Sequence, residues 1–323
     1  MSTIIVFLVS AISIATVLLF GCVGEIITEK AGHLNLGIPG IMCMGTAGGC
    51  IGTSLYMGML ADPSKASWIL LVLFSLLFSM LFAGALGGVY ALLTVTLRCN
   101  QNITGLAITI FGAGATDFLM SFVDRTHFDA AGKLISSYLP FADSLGGFGK
   151  VVFGHGVLVY VAIAIAIICT LVLNKTRVGL HLRAVGESPA TADAAGINVT
   201  AYKYVAILAG SAIAGLGGFY YIMDYIKGSW ENASTIEAFG WLAIALVIFV
   251  LWKPHLGIFG ALLFGACYIV AFVIPGATAT QKEIIKMLPY VITIAVLIFT
   301  SIFDNKENQP PASLGLPYFR EDR

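Results

Sequence analysis

The stretch NKTRVGLHLRAVGESPATADAAGINVT, residues 174–200, lies between two long apolar runs and decides how the chain on either side is read. Within it Lys175, Arg177, His181, Arg183, Glu187 and Asp193 return charge to a sequence that otherwise carries little. Groups of this kind do not sit in hydrocarbon unless they are paired, so the stretch lies outside the bilayer. Its second half is written as one short helix. Ser188 is an N-cap, Pro189 suits the first helical position, Ala190 to Ala195 favours helix, and Gly196 suits the residue after the C-cap. At 1.5 Å per residue that helix is about 10 Å long and cannot persist alone. It needs a seat, either a partner protein at the membrane face or this chain's own spans.

Working outward, the 323 residues are 59% hydrophobic and only 11% charged, and the mean hydropathy is +0.95. That balance excludes a water-soluble domain of this size and defines an integral membrane protein. The formal net charge is +0, from 17 basic and 17 acidic side chains, which gives no footprint for nucleic acid. Cys22, Cys43, Cys50, Cys99, Cys169 and Cys267 have no C-x-x-C spacing and read as small apolar residues. The first charged side chain is Glu25, so the amino terminus lacks the basic region of a cleavable signal and reads as a span that stays.

A membrane helix takes about 20 apolar residues. Candidate runs lie near 4–24, 38–60, 68–97, 104–122, 151–173, 203–223, 238–252, 255–275 and 286–303, so the expectation is an all-α, polytopic bundle of eight to ten spans. The 68–97 run is long enough to tilt or carry a broken turn, and 238–252 is short. Lys175, Arg177, Arg183 and Lys203 in one connection make 174–202 the cytoplasmic loop by the positive-inside rule. Nine spans then place Arg98, Lys253 and the carboxyl tail inside, with the amino terminus and segment 124–150 outside. The expected organisation is a transmembrane domain over 1–303 and a polar cytoplasmic tail over 304–323, FDNKENQPPASLGLPYFREDR from Phe303, extended by Pro310, Pro311 and Pro317.

Gly45 with Gly49, and Gly84 with Gly88, have the four-residue spacing that lets helix backbones approach in lipid. AGALGGVY at 83–90 is echoed by AGLGGFY at 214–220, a sign of repeated halves or of chance in a Gly-rich chain. GEIITEKAGHLNLGIPGIM, residues 24–42, has a charged beginning and a Gly37-Ile38-Pro39-Gly40 turn, which make one continuous helix unfavourable. It is either a broken helix beside a path or a loop with a capped helix start. Glu25, Glu29 and Lys30 must be paired if they lie at membrane depth.

Two of these stretches resemble one family. EKAGHLNLGIPGIMCMG, residues 29–45, and TRVGLHLRAVGESPATADAAGINV, residues 176–199, are similar to signatures of the permease subunits of bacterial ABC importers for nucleosides and simple sugars, in the branched-chain amino acid and ribose permease superfamily. NQNITGLAITIFGAG, residues 100–114, extends the likeness more loosely, and Pro39 stands where many nucleoside-type members have an acidic residue.

The resemblance implies that the helix at 188–195 is a coupling helix docked on a separate ATPase subunit, with Arg183, Glu187, Ser188, Pro189, Asp193 and Gly196 shaping the dock. It also implies a second permease subunit, in a heterodimer or homodimer, and an external substrate-binding lipoprotein. No G-x-x-x-x-G-K-[ST] loop occurs in the chain, so ATP and Mg are expected on the partner and no cofactor here. Few charges in the spans favour a neutral, polar substrate. Glu25, Asn35, Asn102, Thr104, Tyr90, Phe111, Tyr220 and Tyr221 are the candidate path residues, as hydrogen-bonding groups or as faces for a base or sugar ring, and each has a plain packing or capping role as its alternative.

Three functions stay open at this level: a nucleoside or nucleobase permease, a permease for simple sugars or riboflavin, and a membrane-embedded lipid-modifying enzyme. For the enzyme the sequence offers only scattered histidines, His33, His127, His155, His181 and His255, with no H-E-x-x-H or G-x-S-x-G arrangement.

Overall fold

A computed structural model describes residues 3–138, 140–274, 276, 278–302 and 309–319. The described residues form helices and connections only. Seven helices are long and apolar enough to cross a membrane. They are α1 (Thr3–Lys30), α2 (Ile38–Gly58), α3 (Trp68–Ala91, continued by a π-turn to Thr96), α4 (Gln101–Phe122), α7 (Val157–Lys175), α10 (Val199–Tyr220, continued by a π-turn to Tyr225) and α12 (Pro254–Val273). Between them lie α5 (Phe128–Ile135), α6 (Gly146–Phe153), α8 (Arg177–Glu187), α9 (Pro189–Ala194) and α11 (Ser234–Phe249), and α13 (Ala279–Lys286) and α14 (Leu288–Ile302) follow.

All nine apolar runs are helical, with corrections at their limits. The 151–173 run is divided: α6 ends at Phe153, and α7 starts only at Val157 after the Gly154–Gly156 bend. The 238–252 run is helical from Ser234 to Phe249, and the chain turns with left-handed backbone at Leu251 and Trp252 (φ 54° and 55°). The 203–223 run begins earlier, at Val199, because the Asn198 side chain caps the Ala201 N–H at 3.0 Å. Of the tail, residues 303–308 and 320–323 lie outside the described residues.

α2 is the least apolar and the most buried of the seven, and one fact explains the other. A helix ringed by protein does not need a lipophilic surface; it needs small residues, since packing rather than water exclusion associates helices in lipid. α2 packs against α3, α4, α10 and α11. At Gly40 and Gly112 there is no room for a side chain, because a Cβ on Gly40 would lie 2.6 Å from Thr109 Cα and one on Gly112 would lie 2.7 Å from Gly40 Cα. Gly45 and Gly49 meet Gly215 and the Phe219 ring of α10 in the same way, as their spacing implied. The second pair makes no such contact within the described chain: Gly84 has nothing within 4 Å, and a Cβ on Gly88 would only touch Leu208 at 3.5 Å. Spacing marks a small stripe on a helix, but not which neighbour occupies it.

The sequence echo has structural counterparts. Each copy ends a long helix on a fully buried tyrosine, Tyr90 or Tyr220, and each passes into a five-residue π-turn, Leu92–Thr96 or Tyr221–Tyr225. The two helices also pack on each other, with Gly87 against Ser211.

Candidate functional site

The polar chemistry concentrates at the end of the bundle that carries the 174–202 connection. There α1 does not stop at its charges. It runs through Glu25 and Glu29 to Lys30, and both carboxylates are buried, each with one oxygen accepting a hydrogen bond. Glu25 Oε1 accepts from the Asn35 N–H at 3.0 Å, and Glu29 Oε2 accepts from Trp252 Nε1. The break falls later, at residues 31–37, where Gly32 adopts φ 81°.

This turn has its backbone groups satisfied by side chains from across the bundle. The Leu34 N–H donates to Gln101 Oε1 (2.8 Å), Tyr90 Oη donates to the Leu34 carbonyl (2.7 Å), and Thr109 Oγ1 donates to the Leu36 carbonyl (2.7 Å). Asn35 Oδ1 accepts from the Gly37 N–H at 3.0 Å and so shapes the entry to α2. A non-helical segment in a membrane bundle is stable only where protein or cavity water satisfies it, and here protein does so.

Of the candidate path residues the structure therefore gathers Glu25, Asn35 and Tyr90 around one turn, with Thr104 buried on the adjoining first turn of α4. It does not bring the others there. Asn102 is exposed on α4, Phe111 is 60% exposed on the same helix, and Tyr220 and Tyr221 lie at the opposite end of α10 from Asn198. Gln101, Thr109 and Trp252 were missed by sequence reading. Gln101 directly follows the cap Asn100, which accepts from Ile103 N–H at 3.0 Å, and that proximity was the only available signal.

The short helix forms as written. Ser188 Oγ accepts from the Thr191 N–H and bonds Thr191 Oγ1 at 2.7 Å, Pro189 opens α9, and Gly196 takes φ 82°. Sequence reading did not place a helix on residues 177–187. α8 exists because Thr176 caps the Gly179 N–H at 3.1 Å and because Gly179, Leu182, Val185 and Gly186 share a buried face.

The seat of this segment is the chain itself. Gly186 lies directly on the end of α1: a Cβ there would reach into the Lys30 carbonyl, 3.0 Å from its carbon and 3.3 Å from Gly32 N. The tail completes the contact. Ser313 donates both its N–H (3.0 Å) and its Oγ–H (2.6 Å) to the Gly186 carbonyl, the Ala312 N–H donates to Glu187 Oε2 (3.3 Å), and Tyr318 Oη donates to Asp193 Oδ2 (2.9 Å). Val185, Ala192 and Val199 form a small core beneath α9, which Tyr318 helps to cover. Tail residues 309–319 thus strap the α8–α9 segment to the bundle. Arg183 is half-buried on α8, and its Nε has no hydrogen-bond partner among the described residues.

The fold is a multi-pass helical membrane bundle with a small-residue core and a capped short helix at one end. The chain belongs to the family described as "Branched-chain amino acid transport system / permease component", whose model matches residues 7–297. It is a permease of the plasma membrane, and members of this family work with ATPase and substrate-binding partners. The chain is similar to the nucleoside ABC transporter permease protein NupC of Lactococcus lactis subsp. cremoris, with 32% identity over 311 residues, 95% of this chain and 94% of that one. It is also similar to the putative glucose ABC transporter permease protein TsgC13 of Haloferax volcanii, at 29% identity with 97% of each chain covered. The guanosine ABC transporter permease protein NupQ of Bacillus subtilis is 28% identical, covering 96% of this chain and 95% of its own. No solved structure matches the chain.

Proposed function

We propose that this chain is the membrane-spanning subunit of an ATP-driven importer that moves nucleosides or nucleobases delivered by an external binding lipoprotein. The observation that carries the reading is the end-to-end similarity to NupC, 95% of one chain against 94% of the other, together with the likeness to NupQ. The spans fit such a cargo: they carry few charges, and of the buried carboxylates at the inner turn Glu25 accepts from the Asn35 N–H and Glu29 from Trp252, which favours a neutral, polar solute over an ion. In this reading α9 docks on the ATPase subunit, which binds ATP and Mg. Arg183, Glu187 and Asp193 orient the dock, and a second permease subunit completes the pore. ATP-driven approach of two such docks biases the bundle between inward-open and outward-open packings by differential contact energy. A simple-sugar cargo is the second reading, favoured by the likeness to TsgC13.

The test is reconstitution in proteoliposomes with the ATPase, the second permease subunit and the lipoprotein. ATP-dependent uptake of labelled uridine or guanosine, competed by nucleosides but not by glucose or riboflavin, is the expected result. Uptake competed only by glucose would transfer the assignment to sugars. Cysteine substitutions at exposed Thr191 and Thr126 carry the topology: a membrane-impermeant thiol reagent is expected to label the first only from the cytoplasmic side and the second only from outside.

A further inference from the structure

Where α7 meets α8 and α10 there is a cavity of about 450 Å³ that the transport reading above does not use. Its wall is apolar, built chiefly from Val172 and Leu173 of α7, Val178 and Leu182 of α8, and Val205 and Ala209 of α10. The one hydroxyl in the wall, that of Tyr202, is bonded to His181 Nδ1 at 2.9 Å.

Water finds no partners in such a space, and an unfilled apolar wall forgoes its dispersion contacts. Val172, Val178 and Val205 are exposed, so the cavity opens sideways, onto an outer surface that continues through the exposed side chains of Ile168, Leu171 and Leu208. In a bilayer that surface meets acyl chains. The shape is set before anything enters, because α8 rests on α7 by backbone contact: a Cβ on Gly179 would lie 2.5 Å from Leu173 Cα.

The rim carries charge. Lys175 stands two residues beyond Leu173, and Arg177 directly precedes Val178, so at 3.8 Å per residue both backbones lie within about 8 Å of the wall. Both side chains are exposed, and neither has an ion-pair partner among the described residues. The helices around them supply none. α7 and α10 contain no acidic residue, Glu25 and Glu29 of α1 are buried in the inner turn, and α8 has only Glu187, at its other end, where it accepts the Ala312 N–H. An apolar cavity beneath an unopposed pair of cations is complementary to a molecule with a hydrocarbon tail and an anionic head.

We propose that this cavity is a seat for an anionic phospholipid, with one acyl chain between α7 and α10 and the headgroup phosphate on Lys175 and Arg177. The acyl chain packs against Val178 and Leu182 and so braces α8, the helix whose Gly186 bears on the end of α1.

The test is native mass spectrometry of the purified full chain, titrated with phosphatidylglycerol or with phosphatidylcholine of the same acyl composition. One saturable phosphatidylglycerol site is expected, with phosphatidylcholine weaker by about thirtyfold, which corresponds to about 1 kcal/mol for each of two basic side chains at a membrane surface. Lys175→Gln with Arg177→Gln is expected to remove that preference. Val205→Trp and Ala209→Trp enter the cavity from exposed positions and are each expected to abolish the site for both lipids, with thermal unfolding as the check that the variants fold. An excess of glycerol 3-phosphate is expected not to displace the lipid; displacement would mean that the headgroup alone is recognised and would overturn a seat for the acyl chain. Equal affinity for the two lipids in the wild type, an unchanged preference in the double glutamine variant, or wild-type binding in a folded tryptophan variant would each overturn the proposal. So would a wild-type chain that carries no lipid and dimerises while the tryptophan variants stay monomeric, which would assign the opening to a second subunit.

Discussion

Gly186→Ala isolates the mechanical part of the proposal. Gly186 ends α8, and its Cα rests against the backbone at the end of α1. An added Cβ would have to overlap the Lys30 carbonyl oxygen, with that carbonyl's carbon at 3.0 Å and Gly32 N at 3.3 Å. The obstacle is backbone and not the tip of a flexible side chain, so α8 must lift. Overpacking of this kind costs about 1–3 kcal/mol. The shift also disturbs the Gly186 carbonyl, which holds Ser313 by two hydrogen bonds.

The strain falls on the link between α9 and the buried Glu25–Asn35 turn, while the outer face of α9 is unaltered. The expected phenotype is therefore dissociation of two readouts. Binding of the ATPase subunit stays near wild type, whereas ATP-driven uptake falls about tenfold for each 1.4 kcal/mol lost from the coupled state, and the melting temperature in detergent drops by several degrees. Exposed Ala190→Gly, on α9 itself, serves as a control that loosens the helix without touching the seat. A Gly186→Ala protein that melts and transports like wild type would refute the claim that this backbone contact carries force.

Two further outcomes follow from buried polar groups. Trp252→Phe removes the N–H that Glu29 accepts, and an unsatisfied buried acceptor costs about 1–3 kcal/mol. Thermal unfolding should show that loss, and Glu29→Met in the same chain should recover part of it, because both polar groups then leave together; an unchanged melting point in Trp252→Phe would rule the bond out as a stabiliser. His33, in the turn, is held at about 3 by burial and by the nearby Lys203 ammonium, against an ordinary 6.5. The unfolded chain binds that proton below 6.5 and the native one does not, so the stabilisation is complete above 6.5 and is lost as pH falls toward 3. Between pH 7 and pH 5 the loss is about 2 kcal/mol. His33→Gln should flatten this part of the melting-temperature profile, and an equally steep profile in the variant would contradict it.

The sequence by itself determined the class of fold, because apolar runs of span length and the return of charge at 174–200 are local properties governed by transfer into lipid. It also determined α9, since Ser188, Pro189 and Gly196 act on neighbouring backbone groups within one helical turn. What α9 rests on was decided only in three dimensions. Gly186 against Lys30, Ser313 on Gly186 and Tyr318 on Asp193 join residues more than a hundred positions apart, and no local periodicity encodes such a pairing. The fate of the carboxylates was likewise tertiary. Glu25 and Glu29 read as a helix-ending charge cluster, yet the helix continues because Asn35 and Trp252 supply the hydrogen bonds that water would have given. Gly45 and Gly84 make the same point in packing: both sit in the same four-residue spacing, but only the first has a helix of the described chain in front of it, because the arrangement of neighbours is set by the whole bundle and not by the stripe.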